Sequence, residues 1–306
     1  MRWLLLLLLL LPAVLPAQAP ADGADDKKEA ARYFYRAMGK RMVRKYTEAA
    51  DLFRKALALD QEAGLYWHWQ GKTELYNLEK PGEAVISLSN AALLMPDNPW
   101  TLFHLGEAML REGNPARAAA TWERAFAWYR TRRLLPEYEL YVKLGRVLRD
   151  RLGRPEAACA VFREAFARYP DRVHLLIELS GVHALCGRPR EARRLVRQAI
   201  RLAKKHYMKI PSWVDRDAAV VLRWRLKDPR AALAHLEKAV RRHPDEPFLR
   251  MQAAYAWNDL GRHDRAVAAA LQALEQYERM TDPGHRTHYH YLAALLQDRL
   301  GDHARA

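Results

Sequence analysis

The stretch LFHLGEAMLREGNPARAAATWERA, residues 102–125, decides the fold. Leu102, Leu105, Gly106 and Met109 recur three and four apart, the apolar face of one helix. Glu112-Gly113-Asn114-Pro115 reads as a tight turn. Gly113 ends the first helix, Asn114 caps a second, and Pro115 fits its first turn, where a missing N–H costs nothing. Ala118, Trp122 and Ala125 form the facing stripe of that second helix. Small residues on both helices let the backbones approach while Trp122 fills the adjoining gap.

Working outward, the alanine pair seven residues apart recurs along the chain. Its first members are Ala49, Ala84, Ala118, Ala158, Ala192, Ala232 and Ala266, and its second Ala56, Ala91, Ala125, Ala165, Ala199, Ala239 and Ala273. Counting on to Ala306, the first members are spaced 35, 34, 40, 34, 40, 34 and 40 residues, so from Ala84 the unit is a 74-residue double repeat. Such a period marks stacked helical hairpins rather than a compact enzyme domain. Glycine stands five residues before the anchor at Gly113, Gly153, Gly187, Gly261 and Gly301. Pro96, Pro170 and Pro244 stop alternate second helices twelve residues after the anchor. After Ala118, Ala192 and Ala266 that proline is absent, which predicts an extra turn or more of helix in every second repeat, on one shared edge.

These residues resemble the tetratricopeptide repeat (TPR) family. One copy supplies Leu102, Leu105, Gly106, Met109, Ala118, Trp122 and Ala125; the next supplies Tyr141, Leu144, Gly145, Leu148, Ala158, Phe162, Ala165 and Pro170. The first copy is looser around Met38, Gly39 and Met42, and the sixth places Val220 where a small residue belongs. The resemblance covers residues 30–306 as seven repeats and a truncated eighth. It implies an all-α, right-handed superhelical solenoid of helix-turn-helix repeats, whose first helices line a concave groove.

The N-terminus is read separately. Arg2 precedes eight leucines, Leu4 to Leu11, and then Pro12, Pro16 and small residues at A-x-A spacing. This is the pattern of a secretory signal peptide, cut after Ala19 or after Ala21, with the second favoured because Pro20 makes a poor new N-terminus. Residues 22–29 read as a flexible linker. The expected location is the bacterial periplasm or cell envelope, or otherwise outside the cell as a secreted protein, with no membrane span after the leader. Loss of Arg2 leaves 50 Lys+Arg against 36 Asp+Glu, a net +14. In an exported chain that charge points to polyanions other than nucleic acid. Cys159 and Cys186 fall at neighbouring helix ends, where either a disulfide or two separate thiols would fit.

Two surfaces are candidates for binding. The first is the groove, with Trp100, Phe103, His174, Trp224, Phe248, Tyr255, Asn258 and Tyr291 at first-helix positions, suited to an extended peptide or a saccharide. The second is a basic ledge on the long second helices, comprising Arg130, Arg132, Arg133, Lys204, Lys205 and Lys209 and suited to an anionic polymer or an acidic protein. A third extension, Tyr277 to Met280, is less basic. His285, His288 and His290 have spacing that could touch a metal, but no cysteine or carboxylate completes the set. No phosphate loop, nucleophile elbow or paired Cys/His is present. The expectation is a scaffold without catalysis or cofactor. The alternatives are a polyanion- or glycan-binding module, or the N-terminal part of a larger envelope or secretion protein or enzyme, since the chain stops on the turn of an eighth repeat.

Overall fold

The computed structural model describes residues 23–280, in which seven helix pairs follow one another. The first helices are α1 (Gly23–Met42), α3 (Gly64–Tyr76), α5 (Pro99–Arg111), α7 (Tyr138–Asp150), α9 (Val173–Leu185), α11 (Ser212–Val220) and α13 (Pro247–Asp259). Their partners are α2 (Tyr46–Leu59), α4 (Pro81–Leu94), α6 (Pro115–Thr131), α8 (Pro155–Arg168), α10 (Pro189–His206), α12 (Pro229–Arg242) and α14 (His263–Glu278). The chain divides between Leu135 and Pro136 into two compact units, the first holding α1–α6 and the second α7–α14. The expected leader, Tyr291, His285, His288 and His290, and the expected eighth repeat lie outside the described residues.

Every anchor alanine, from Ala49 and Ala56 to Ala266 and Ala273, is fully buried. The reason is visible across from them. A Cβ on Gly106 would collide with the Trp122 indole, one on Gly145 with the Phe162 ring, and one on Gly71 with Leu88. With no Cβ there, the ring lies on the α5 backbone, and Trp122 Nε1 donates to the Phe103 carbonyl at 3.0 Å. The two helices are thus held by volume complementarity at backbone distance.

The turn between the helices demands a left-handed residue five positions before each anchor. Gly113, Gly153, Gly187 and Gly261 supply it with φ between 61° and 96°. Arg44, Glu79 and Lys227 occupy the same place in the other three repeats, at φ 59°, 55° and 48°. A left-handed non-glycine residue costs about 1–2 kcal/mol, against about 0.5–1 kcal/mol of extra chain entropy for glycine. Glu79→Gly and Lys227→Gly, both at exposed positions, are therefore expected to stabilise the chain by about 0.5 kcal/mol each, read from the midpoint of urea unfolding.

The alternation follows the prolines. The helices stopped by Pro96, Pro170 and Pro244, namely α4, α8 and α12, have 14 residues each. Where that proline is missing after Ala118, Ala192 and Ala266, α6 has 17, α10 has 18 and α14 has 16 residues, a full extra turn at α10 and less at the other two; α2, with Gln61 at the same place, has 14, so the missing proline permits the extension without producing it.

Three expectations need correction. Residues from Gly23 onward are helix rather than linker: Asp25 and Asp26 favour the positive end of α1, and Ala30, Phe34 and Ala37 give it a buried face. Asn114 does not cap α6, because its side-chain amide donates to Glu112 Oε2 at 2.9 Å. In the first unit it is Asn98 that caps, accepting from the backbone of Trp100 and Thr101 at 3.0 and 3.2 Å. Val220 does not fill the small position of the sixth repeat. It is half-buried while Ala218 and Ala219 are fully buried, and the helix then widens into a π turn, Val221–Arg225. That repeat carries one residue more than its neighbours between helix start and anchor. The second and fourth repeats put such a residue into the turn; the sixth puts it into the helix.

Candidate functional site

The most developed cluster of polar groups lies on the first helices of the second unit. The apolar run of α9, VHLLIELSGVHAL, contains one acidic residue, Glu178, and it is buried. A carboxylate there must be paired. Arg146 Nε of α7 donates to Glu178 Oε1 at 2.6 Å, Arg149 Nη1 donates to Oε2, and His174 Nε2 stands 3.2 Å from Oε1. Burial opposes the charge of Glu178. The His174 hydrogen bond and the Arg149 and Arg146 guanidiniums outweigh burial and hold its carboxyl at about 2.

From this centre the network runs both ways. Towards the helix N-termini, the Tyr138 hydroxyl meets His174 Nδ1 at 2.7 Å, and Arg172 lies over the Tyr138 ring at 5.3 Å. Towards the C-termini, Arg149 Nε and Nη2 both reach Asp150 at 2.7 Å, and Asp150 accepts from Arg225 Nη2 at 3.1 Å. Burial works against the charge of Asp150, but Arg149 more than offsets it and lowers the carboxyl. Two cavities open along this row. One of about 650 Å³ is lined by Tyr138, Arg168, Arg172, His174, His206 and Trp213 among others. The other, about 380 Å³, is lined by Arg146, Arg149, Glu178, Asp217 and Arg225 among others. Burial pushes the Asp217 carboxyl up. The row joins the cavities through the contact of His174 with Arg146, 2.6 Å from Nε2 to Nη2.

Of the predicted groove residues, His174 belongs to this row. Trp224 sits on the π turn, 62% exposed. It comes together with Tyr255 through Arg223, whose guanidinium lies 4.8 Å from each ring and whose Nε donates to Asp259 at 2.8 Å. Arg223 is buried, and its Nη1 has no hydrogen-bond partner. Phe248 carries Arg216 over its ring at 5.6 Å, and Asn258 Oδ1 is engaged with His263 Nδ1 at 3.2 Å. In the first unit, Trp100 stacks on His104 at 6.5 Å and Phe103 meets the same imidazole edge-on. His104 Nδ1 faces the Tyr76 hydroxyl at 2.9 Å, and His68 Nδ1 faces Thr101 Oγ1 at 2.9 Å. Burial, with Lys72 and Arg41 nearby, pushes His68 down to about 4, so it is neutral at physiological pH.

The predicted ledge residues Arg130, Arg132, Arg133, Lys204, Lys205 and Lys209 are all exposed. The arginines belong to the first unit, the lysines to the second. Arg132 is already engaged, donating to Asp97 at 2.8 Å and lying 4.6 Å from the Trp128 ring. Arg130 lies over Phe126 at 5.8 Å, and Arg133 takes a left-handed turn conformation that closes α6. Two aromatics of the extensions, Tyr129 and Tyr277, turn inward and are buried. Both cysteines are free thiols. Cys159 accepts from Arg163 Nη2 at 3.3 Å, and burial pushes the Cys186 thiol up, with Glu156 and Cys159 adding to the effect.

Sequence reading missed Tyr138, Arg146, Arg149, Glu178 and Trp213. A signal was present for one of them: Glu178 is a lone acid inside an apolar run, which requires a buried partner. The arginines looked like any of the chain's solvated cations.

Models of the tetratricopeptide repeat match residues 99–124, 139–172, 173–198 and 218–283. No curated protein sequence matches the chain. Among solved structures, it is similar to a tetratricopeptide repeat protein from Parabacteroides merdae, at 12% identity, covering 87% of this chain and 99% of that one with a TM-score of 0.65. It is also similar to MamA, at 20% identity over 58% of this chain and 93% of MamA, TM-score 0.54. PilW, a type IV pilus biogenesis factor, is similar at 18% identity over 72% and 96% of the two chains, TM-score 0.55. At these identities the likeness is one of fold. Repeated family matches and seven helix pairs with buried anchor alanines lead to one conclusion: this chain belongs to the tetratricopeptide repeat family.

Proposed function

We propose that this chain is a non-enzymatic scaffold that binds an extended segment of a protein partner along the first helices of its second unit. One observation carries the reading: a continuous polar row on α7, α9, α11 and the π turn, anchored by buried Glu178, links two open cavities. Its groups are held in place before any partner arrives, which limits the ordering cost of binding. They offer both donors and acceptors, as an extended backbone requires. The leucine run Leu4 to Leu11, read as a leader, supports a site of action in the bacterial cell envelope. No helix among the described residues is long and apolar enough to cross a membrane.

The test is capture from envelope extract on the immobilised chain at about 0.5 M NaCl, where exposed charge is screened. The expected result is a protease-sensitive partner, lost from an Arg146→Ala, Arg225→Ala variant. Capture undiminished by that variant, or no protein captured, overturns the reading. The exposed Lys204, Lys205 and Lys209 of the second unit support a second reading, an anionic polymer held there. It predicts capture that is abolished at the same salt concentration and insensitive to protease.

A further inference from the structure

The larger cavity of the second unit is formed where the C-terminal ends of α8 and α10 meet the N-terminal ends of α7, α9 and α11. Here two features that the sequence keeps apart converge: His174 from the groove, and His206 and Tyr207 from the basic extension. Resting on the scaffold reading above, we infer that this cavity seats the carboxylates of an acidic peptide segment in the protein partner.

Charge complementarity identifies the occupant. Arg168, Arg172 and His206 line the cavity, with Lys204 and Lys205 just before His206 in the last turn of α10. The sole acid in the lining is Asp171, 83% exposed and 3.9 Å from His206 Nε2. The α9 N-terminus opens here with Arg172 at its cap and no side chain capping it. Its first amides and dipole favour an anion. Guanidinium groups hold carboxylates through paired hydrogen bonds, and helix, arginines and imidazole all act in the same sense.

A sugar ring is the poorer fit, because it needs a free aromatic face. Arg172 covers Tyr138, whose edge packs on Tyr169 at 6.0 Å. Tyr169 in turn meets Tyr141 at 6.4 Å, and Trp213 meets His174 at 6.2 Å. Tyr207 keeps an exposed ring, and beside it the open surface carries the guanidiniums of Arg168 and Arg172, the former 3.5 Å from Glu164. The volume, about 650 Å³, suits a few peptide residues.

The test is fluorescence anisotropy on the full chain at about 0.15 M salt, with a fluorescein-labelled oligoglutamate and an oligogalacturonate of equal charge as probes. The oligoglutamate is expected to bind, and the Arg168→Gln, Arg172→Gln double variant to weaken it at least about tenfold. Both arginines are exposed, so the fold survives their loss; His206→Gln gives an independent loss. The Lys238→Gln, Arg241→Gln pair removes equal charge from the surface of α12 and is expected to leave binding unchanged. The inference is overturned if oligoglutamate does not bind, if the α12 pair weakens it equally, or if oligogalacturonate binds as tightly. Failure here with capture of the envelope protein intact rejects the acidic segment and leaves the scaffold standing; loss of capture rejects the scaffold itself.

Discussion

Trp122→Ala is expected to destabilise the chain by about 3–5 kcal/mol, read from denaturant unfolding followed by circular dichroism. Trp122 is fully buried, the largest side chain in that state among the described residues. Its removal leaves a cavity between α5 and α6 where the indole lay against Gly106. The Phe103 carbonyl also loses the indole donor. Trp122→Phe keeps most of the ring and loses the hydrogen bond, so a cost of about 1–2 kcal/mol separates the two contributions. A loss below about 1 kcal/mol for the alanine variant would contradict the packing described for this pair.

Glu178→Gln is expected to cost about 3 kcal/mol. The change keeps the shape of the side chain but leaves Arg149, nearly buried, with Asp150 as its remaining acidic partner. The same residue sets a pH dependence. Its carboxyl is held at about 2 in the folded chain, against an ordinary value of 4.5. A depressed carboxylate adds stability that is fully present above the unfolded value and lost as pH falls through the folded one. Unfolding free energy is therefore expected to decline between pH 4.5 and 2, and the Glu178→Gln chain to show a shallower decline over that window. Parallel pH profiles for the two chains would remove Glu178 from the centre of the row.

The repeat was legible because close helix approach leaves little choice of residue. Alanine at the anchors, glycine across from Trp122 and Phe162, and proline at the helix stops each answer a local steric demand, so each shows in one dimension. The second helices that lack the stop after Ala118, Ala192 and Ala266 are longer, but by a full turn only at α10, and α2 lacks the proline without being longer. The left-handed turn was legible in four repeats and hidden in three, since Arg44, Glu79 and Lys227 tolerate the strain that glycine would relieve.

The candidate site was legible only in pieces. His174 was found on its helix position, but its partners Tyr138, Arg146 and Glu178 lie between 4 and 36 residues away. Trp224 and Tyr255 were chosen singly, while Arg223, which unites them, looked like a surface cation until the π turn carried it into the interior.

By itself the sequence determined the family, the number of repeats described and the places where the backbones touch, because those depend on residue volume and backbone conformation at fixed local spacing. Only the tertiary structure decided which charges are buried and with whom, where the sixth repeat stores its extra residue, and that His174 and the end of α10 share one cavity. Those outcomes depend on side chains brought together from separate helices, and a long flexible arginine reads the same in sequence whether it ends in water or on a buried carboxylate.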